Sequence, residues 1–206
     1  MKQKEKNKAT RGRPSRRAEI IAATEALIRT RGLASTTTRA IAEQAGCSEA
    51  ALYVHFDNRL TLLLAVLEKS LPDMLLPLKS LEQSIGTRTP QQNLTSAVRA
   101  IFTFHERVVP MLCGLFADLQ LLTAYRKSLT TRNKGPHGAI GRLQKYISAE
   151  QSLGRIHKSI DAETAATMLM ASSFFKAFVS KFFGAPKPPA AVFKKLVAAA
   201  IASESN

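Results

Sequence analysis

Between residues 37 and 56 the sequence reads TTRAIAEQAGCSEAALYVHF, which gathers hydroxyl, guanidinium, carboxylate, phenol and imidazole groups into one short stretch. Spaced along rigid backbone, such groups hydrogen-bond to phosphates and base edges. Catalytic constellations are missing. There is no glycine-rich phosphate loop, no His-Glu-x-x-His and no Ser or Cys elbow between glycines, and His105, His137 and His157 stand isolated. Cys47 and Cys113, the only two cysteines, lack Cys-x-x-Cys or Cys/His ligand spacing, so neither a disulfide framework nor a zinc site is expected. The reading at this point is a binding protein, with no enzyme activity, metal or cofactor.

Ile41, Ala42 and Ala45 recur on one helical face behind Thr37 and Thr38, so a short helix starts at those threonines and stops at Gly46. Ser48 can cap a second helix that turns Ala51, Leu52 and Phe56 inward and leaves Tyr53 and His55 outward. Two short helices joined by a glycine turn make a helix-turn-helix, whose second helix fits the DNA major groove. Residues 16 to 31 supply a backing helix through Ile20, Ile21, Ala23, Leu27 and Ile28, closed by Gly32. Arg59 opens a fourth helix with Leu60, Leu63, Leu64 and Leu67 as burial candidates, which Pro72 and Pro77 should kink or break.

With GLASTTTRAIAEQAG before it and FDNRLTLLLAVL after it, this stretch resembles the TetR family of bacterial transcriptional regulators across about residues 17 to 67. The resemblance implies an all-α fold: a three-helix, helix-turn-helix DNA-binding domain at residues 18–67, then a helical effector-binding and dimerisation domain at 68–206. It also implies site roles. Thr37 and Thr38 open the first motif helix, where a hydroxyl contacts phosphate, and Arg39 is placed to reach guanine through its two-pronged fork. Ser48, Glu49 and Ala50 match the start of the recognition helix, and Tyr53 and His55 match a backbone-contacting pair. Arg59 stands where the family usually has Lys, offering positive charge to a phosphate. Glu49 and Ala50 depart from the usual Lys or Gln and Gly; the acid suits a cytosine amino group and the methyl a thymine.

The chain of 206 residues carries 30 Lys and Arg against 15 Asp and Glu, a net +15, which attracts polyanions. Residues 1–17 hold much of that charge and no large apolar residue after Met1, so they read as a disordered basic arm. Within it Arg11-Gly12-Arg13-Pro14 has the look of a minor-groove hook, with Arg11 and Arg13 as its contacts. No apolar leader follows the arm, and Lys176 and Lys181 interrupt the most apolar segment; a soluble, cytoplasmic protein with no membrane partner is expected.

Further along, helices are expected from Pro90 to about 108, from Pro110 to about 130, over 139–153, over 162–183 and over 190–202. Phe102, His105, Met111, Phe116, Leu119 and Tyr125 fall in the middle helices, where the resembled family keeps its variable pocket, and are the candidate ligand-binding residues. The 162–183 segment is apolar almost all round, so Phe174, Phe175, Phe178 and Phe182, with Phe193 and Leu196 of the last helix, are candidates for a homodimer interface. Together these readings predict a homodimeric, ligand-responsive repressor that leaves its double-stranded DNA operator when a small-molecule effector binds. An architectural DNA coat without effector control is the alternative.

Overall fold

In the computed structural model, which describes residues 14–131 and 135–202, the Ser15 hydroxyl accepts from Ala18 N at 3.3 Å and so caps the first helix. Ten α-helices and no strand occur among the described residues: α1 Arg16–Arg31, α2 Thr38–Ala45, α3 Glu49–His55, α4 Arg59–Ser70, α5 Pro72–Gln83, α6 Pro90–Leu115, α7 Leu119–Thr131, α8 His137–Ser152, α9 Ala162–Phe182 and α10 Ala190–Ala200. Arg11 and Arg13 lie outside the described residues. Arg16 and Arg17, expected in the basic arm, are instead the first two residues of α1. Both have structural partners: Arg16 Nη1 donates to Ala45 O at 3.1 Å, and the Arg17 guanidinium sits 4.9 Å from the centre of the Phe56 ring.

Local chemistry sets the first four helices. Thr37 caps α2 by accepting from Ala40 N, Ser48 caps α3 by accepting from Ala51 N, and Asn58 caps α4 in a reciprocal box with Thr61. Gly46, at φ 65, ends α2 in the left-handed region, and the hydrogen bonds Cys47 N to Ala42 O and Gly46 N to Glu43 O close the turn. Ile20, Ile21, Leu27, Ile41, Leu52, Phe56, Leu62, Ala65 and Val66 bury together beneath this motif. Each fully buried Leu or Ile in such a cluster contributes about 1.5–3 kcal/mol. Leu62 was not among the expected burial candidates, yet it is fully buried, whereas Leu60 and Leu67 are half-buried.

The prolines act differently along the chain. Pro72 does end α4 and start α5, but Pro77 sits inside α5 and Pro110 inside α6 without ending either helix. Pro110 costs α6 one hydrogen bond, about 3 kcal/mol. Its neighbours Val108, Val109, Met111 and Leu115 are all buried, and their burial offsets that loss. The break expected at Pro110 falls instead at residues 116–118, where three successive i to i−3 bonds end α6 and the Asp118 carboxylate caps α7 by accepting from Leu121 N at 2.9 Å.

A larger cluster joins α5, α6, α8, α9 and α10, with Leu78, Leu94, Ile101, Leu143, Ile147 and Leu169 among its fully buried members. Between it and the N-terminal motif lies a third cluster, in which Ile28, Leu33 and Leu63 meet Met111, Leu115, Leu121 and Leu122. Gly114 allows this approach: a Cβ built there falls 2.5 Å from Leu33 Cβ. Gly114→Ala should therefore overpack the seam and lower stability by about 1–3 kcal/mol. Gly141→Ala, within α8 and with nothing within 4 Å of the added carbon, should instead raise it by about 0.5–1 kcal/mol. Urea unfolding of the two variants checks the opposite signs.

Candidate nucleic-acid interface

The outward face of the helix-turn-helix is assembled by caps and one turn. α3 is fixed at its start by Ser48 and buried through Leu52, which leaves Tyr53 51% exposed and Val54 80% exposed, with His55 exposed beside them. Ser48, Glu49 and Ala50 are exposed at its first turn, and Thr37 and Arg39 are exposed across from it on α2. Each of these sequence-predicted residues is thus open to solvent, and Thr38 and Glu49 join the starts of the two helices. Val54 is absent from the expected set; its apolar side chain between Tyr53 and His55 carries no polar signal, although it is more exposed than Tyr53.

Hydrogen-bond accounting distinguishes the hydroxyls. Thr37 and Ser48 accept at their caps, so each O–H still has its proton to give. Thr38 does not: its Oγ1 donates to Glu49 Oε2 at 2.7 Å, tying the start of α2 to the start of α3. This link also orients the Glu49 carboxylate. Arg39 pairs with Glu43 at 3.2 Å, but side chains 81% and 67% exposed make this a surface pair of about 0–1 kcal/mol. A bidentate guanine contact is worth about 1–3 kcal/mol, so the pair does not hold Arg39 back.

Arg59, expected at a phosphate, has partners within the chain. Its Nη2 donates to Leu33 O at 2.7 Å and its Nη1 lies 3.6 Å from Asp118, with the side chain one-third exposed. Placed so, the guanidinium spans the seam between α4 and the α6–α7 turn rather than projecting toward a phosphate. The sequence signal available was Asp118, an acid at a helix start; what hid it was the separation between positions 33, 59 and 118.

Behind the seam, a cavity of about 440 Å3 opens among α4, α6, α7 and α9, with Met74 of α5 and Ala139 and Ile140 of α8 also on its wall. Only His105 and Tyr125 of the six expected ligand residues line it. Phe102 packs on Phe193, with centroids 5.1 Å apart; Met111 belongs to the seam; Phe116 and Leu119 are 69% and 73% exposed around the α6–α7 turn. Phe104, Met74, Leu64, Leu67, Leu71 and Met170 were missed. One expected dimer residue is placed differently: Phe193 is buried inside the chain; Phe174 is 38% exposed and also lines the cavity with its ring edge-on to His105 at 5.5 Å. Phe175 and Phe182 remain exposed, and Phe178 and Leu196 half-exposed.

His105 is 7% exposed, its Nδ1 lies 3.1 Å from the hydroxyl of fully buried Ser173, and burial lowers its pKa to about 4. Burial likewise raises the Tyr125 phenol above its ordinary range. Because the folded His105 resists protonation while an unfolded one accepts a proton near pH 6.5, stability is full above that pH and is lost as pH falls toward 4. Between pH 7 and pH 4.5 the parent protein should lose about 2–3 kcal/mol more than His105→Gln, measured by urea unfolding at both pH values.

Among the described residues, no group of three or more His, Cys, Asp or Glu could hold a metal ion, and no single helix is long and apolar enough to cross a membrane. Residues 20–66 match the family of bacterial regulatory proteins, tetR family. The HTH-type transcriptional activator FasR of Mycolicibacterium smegmatis is 34% identical over 95 residues, a match spanning 46% of this chain and 42% of that relative's length. Among solved structures, a protein described as a TetR-family transcriptional regulator from Mesorhizobium loti superposes with a TM-score of 0.69 at 18% identity, covering 90% of this chain and 93% of that one. FadR of Bacillus subtilis, in complex with stearoyl-CoA, gives a TM-score of 0.67 at 18% identity over 89% and 97% of the two chains. At such identity these structures establish a shared fold along most of the chain. Residues 20–66 thus carry the motif of the tetR family, held in place by Gly46 and the Thr37 and Ser48 caps.

Proposed function

We propose that this protein is a sequence-specific DNA-binding transcriptional regulator that works as a homodimer and whose operator affinity is set by a small molecule in the α4–α6–α7–α9 cavity. The observation that carries the reading is the exposure of Tyr53, Val54 and His55 on a short helix whose other face is fully buried at Leu52. In this reading α3 enters the major groove, Arg39 reads guanine, Glu49 faces a cytosine amino group, and Ala50 and Val54 meet thymine methyls. Tyr53, His55, Thr37 and Ser48 donate to phosphates. Residues 18–67 form the DNA-binding domain and residues 68–206 the effector and dimerisation part.

Dimerisation is supported by the exposed apolar side of α9, where Met168, Phe175, Phe182 and Phe183 are each at least half exposed. A two-fold pair places two recognition helices about 34 Å apart on successive major grooves. Effector control is supported by geometry. Leu64, Leu67 and Leu71 line the cavity, and α4, which contributes the first two, carries at its other end the Arg59 link to Leu33 and Asp118. A ligand that favours one setting of α4 shifts the population of heads competent for DNA, and moving it from 1:99 to 99:1 takes about 5.5 kcal/mol of preference. We take the direction as release of a repressor. The relative named FasR is an activator, so a ligand that strengthens binding is the outcome that reverses this sign while keeping the regulator reading.

Fluorescence anisotropy on a selected operator and on random DNA, across a salt series, tests the assignment. Arg39→Ala should cost about 1–3 kcal/mol on the operator, nothing comparable on random DNA, and relax preference at one base pair. Arg59→Ala should leave the salt slope unchanged, because its guanidinium serves the seam; a phosphate contact would be revealed by a slope smaller by about one. Equal affinity for operator and random DNA in the unsubstituted protein supports the architectural coat instead.

A further inference from the structure

The cavity is as informative for what it lacks as for what it holds. No Lys or Arg lines it among the described residues, and Glu68 is the one carboxylate along its wall. Leucines, methionines, Phe104 and Phe174 make up most of the surface. A carboxylate or phosphate moved into such a lining gives up its hydration without a compensating cation, and a charge buried in that way is strongly disfavoured. Besides the hydroxyls of Ser128 and Thr167, two polar rings, His105 and Tyr125, break the apolar wall. His105 Nδ1 is already engaged by Ser173, while Nε2 has no hydrogen-bond partner among the described residues. Edge-on packing against Phe174 at 5.5 Å and contact with Phe104 at 5.6 Å fix the plane of its ring. The Tyr125 phenol, half-buried on the same cavity, is likewise without a described hydrogen-bond partner. Its volume, about 440 Å3, falls within the usual range for small-molecule sites.

We propose that this cavity takes an uncharged, mostly apolar molecule with one hydrogen-bonding oxygen, such as an alcohol, ketone or ester, held through that oxygen by His105 Nε2 and the Tyr125 hydroxyl. The proposal rests on the effector reading only in treating the cavity as a ligand site, and names the chemical class that the site accepts. Neutral imidazole suits it: one nitrogen is committed to Ser173, and the other offers a single donor or acceptor according to tautomer. Charged head groups on the same alkyl chain are disfavoured by desolvation: no described Lys or Arg lines the wall to face an anion, and Glu68, the one described carboxylate there, already has an interaction of its own.

Calorimetric titration of the full chain with decan-1-ol, decanoate and decyltrimethylammonium tests the class directly. Decan-1-ol is expected to bind at least tenfold more tightly than either ion, and His105→Leu to weaken it at least fivefold while the cooperative thermal transition is kept. In the unsubstituted protein, the nitrogen resonance of His105 Nε2 should shift on adding decan-1-ol while that of exposed His157 stays in place, which covers the case of a variant that fails to fold. Decanoate or the ammonium binding as tightly as the alcohol, no binding of the alcohol, or an unmoved His105 resonance overturns the proposal. Selective alcohol binding that leaves operator affinity unaltered supports the ligand class and contradicts effector control, so the two readings fail separately.

Discussion

Leu33 sits where the helix-turn-helix meets the helical body, and its contact with Gly114 is the constraint through which the two halves are joined. No side chain separates them there: the α6 backbone comes close enough that a single added carbon collides with Leu33. Arg59 donates to the Leu33 carbonyl, which also accepts from Thr36 N, and balances its own charge against Asp118 at the α6–α7 turn. Apolar packing sets the distance, and the charged hydrogen bond sets the angle. Rearrangement of α4, α6 or the turn between α6 and α7 therefore has to be felt at Leu33, one residue after α1 is closed by Gly32.

At the other end of the motif, the same economy of parts presents α3. Its own stability is small, since a helix of seven residues is too short to hold itself in water. Leu52 and Phe56 anchor it from beneath, Ser48 satisfies its first turn, and Arg17 lies over Phe56. Arg16 neutralises the carboxyl end of α2 at Ala45, where carbonyl groups and the helix dipole favour a cation. Basic residues near the amino terminus thus have two distinct uses: some of the charge attracts polyanions at long range, and two arginines are spent on the scaffold.

The caps and the turn of the N-terminal motif are legible in the sequence because they are local. Thr37, Ser48 and Gly46 act within a few residues of themselves, and the apolar period of α1 and α2 is visible without knowing what they pack against. Cavity and seam depend on contacts between helices far apart in sequence, and there the reading fell short. Phe102 and Phe104 are two positions apart on α6, which turns them about 200° from each other; one meets α10 and the other the cavity. Nothing local says which. Pro110 was read as a helix start because proline is common there, but the burial that carries α6 through it comes from other helices. Arg59 had the address of a phosphate contact, and only the fold showed Leu33 O and Asp118 within its reach.

The central claim is that a pair of α3 helices reads a duplex at two symmetric positions. Selecting bound fragments from random DNA with the full chain measures this most directly. The account predicts an enriched, near-palindromic motif whose half-sites are about one helical turn, roughly 10 base pairs, apart or a multiple of that. Recovery of fragments with no common sequence, or of a single unpaired half-site bound by one copy of the chain, would contradict it.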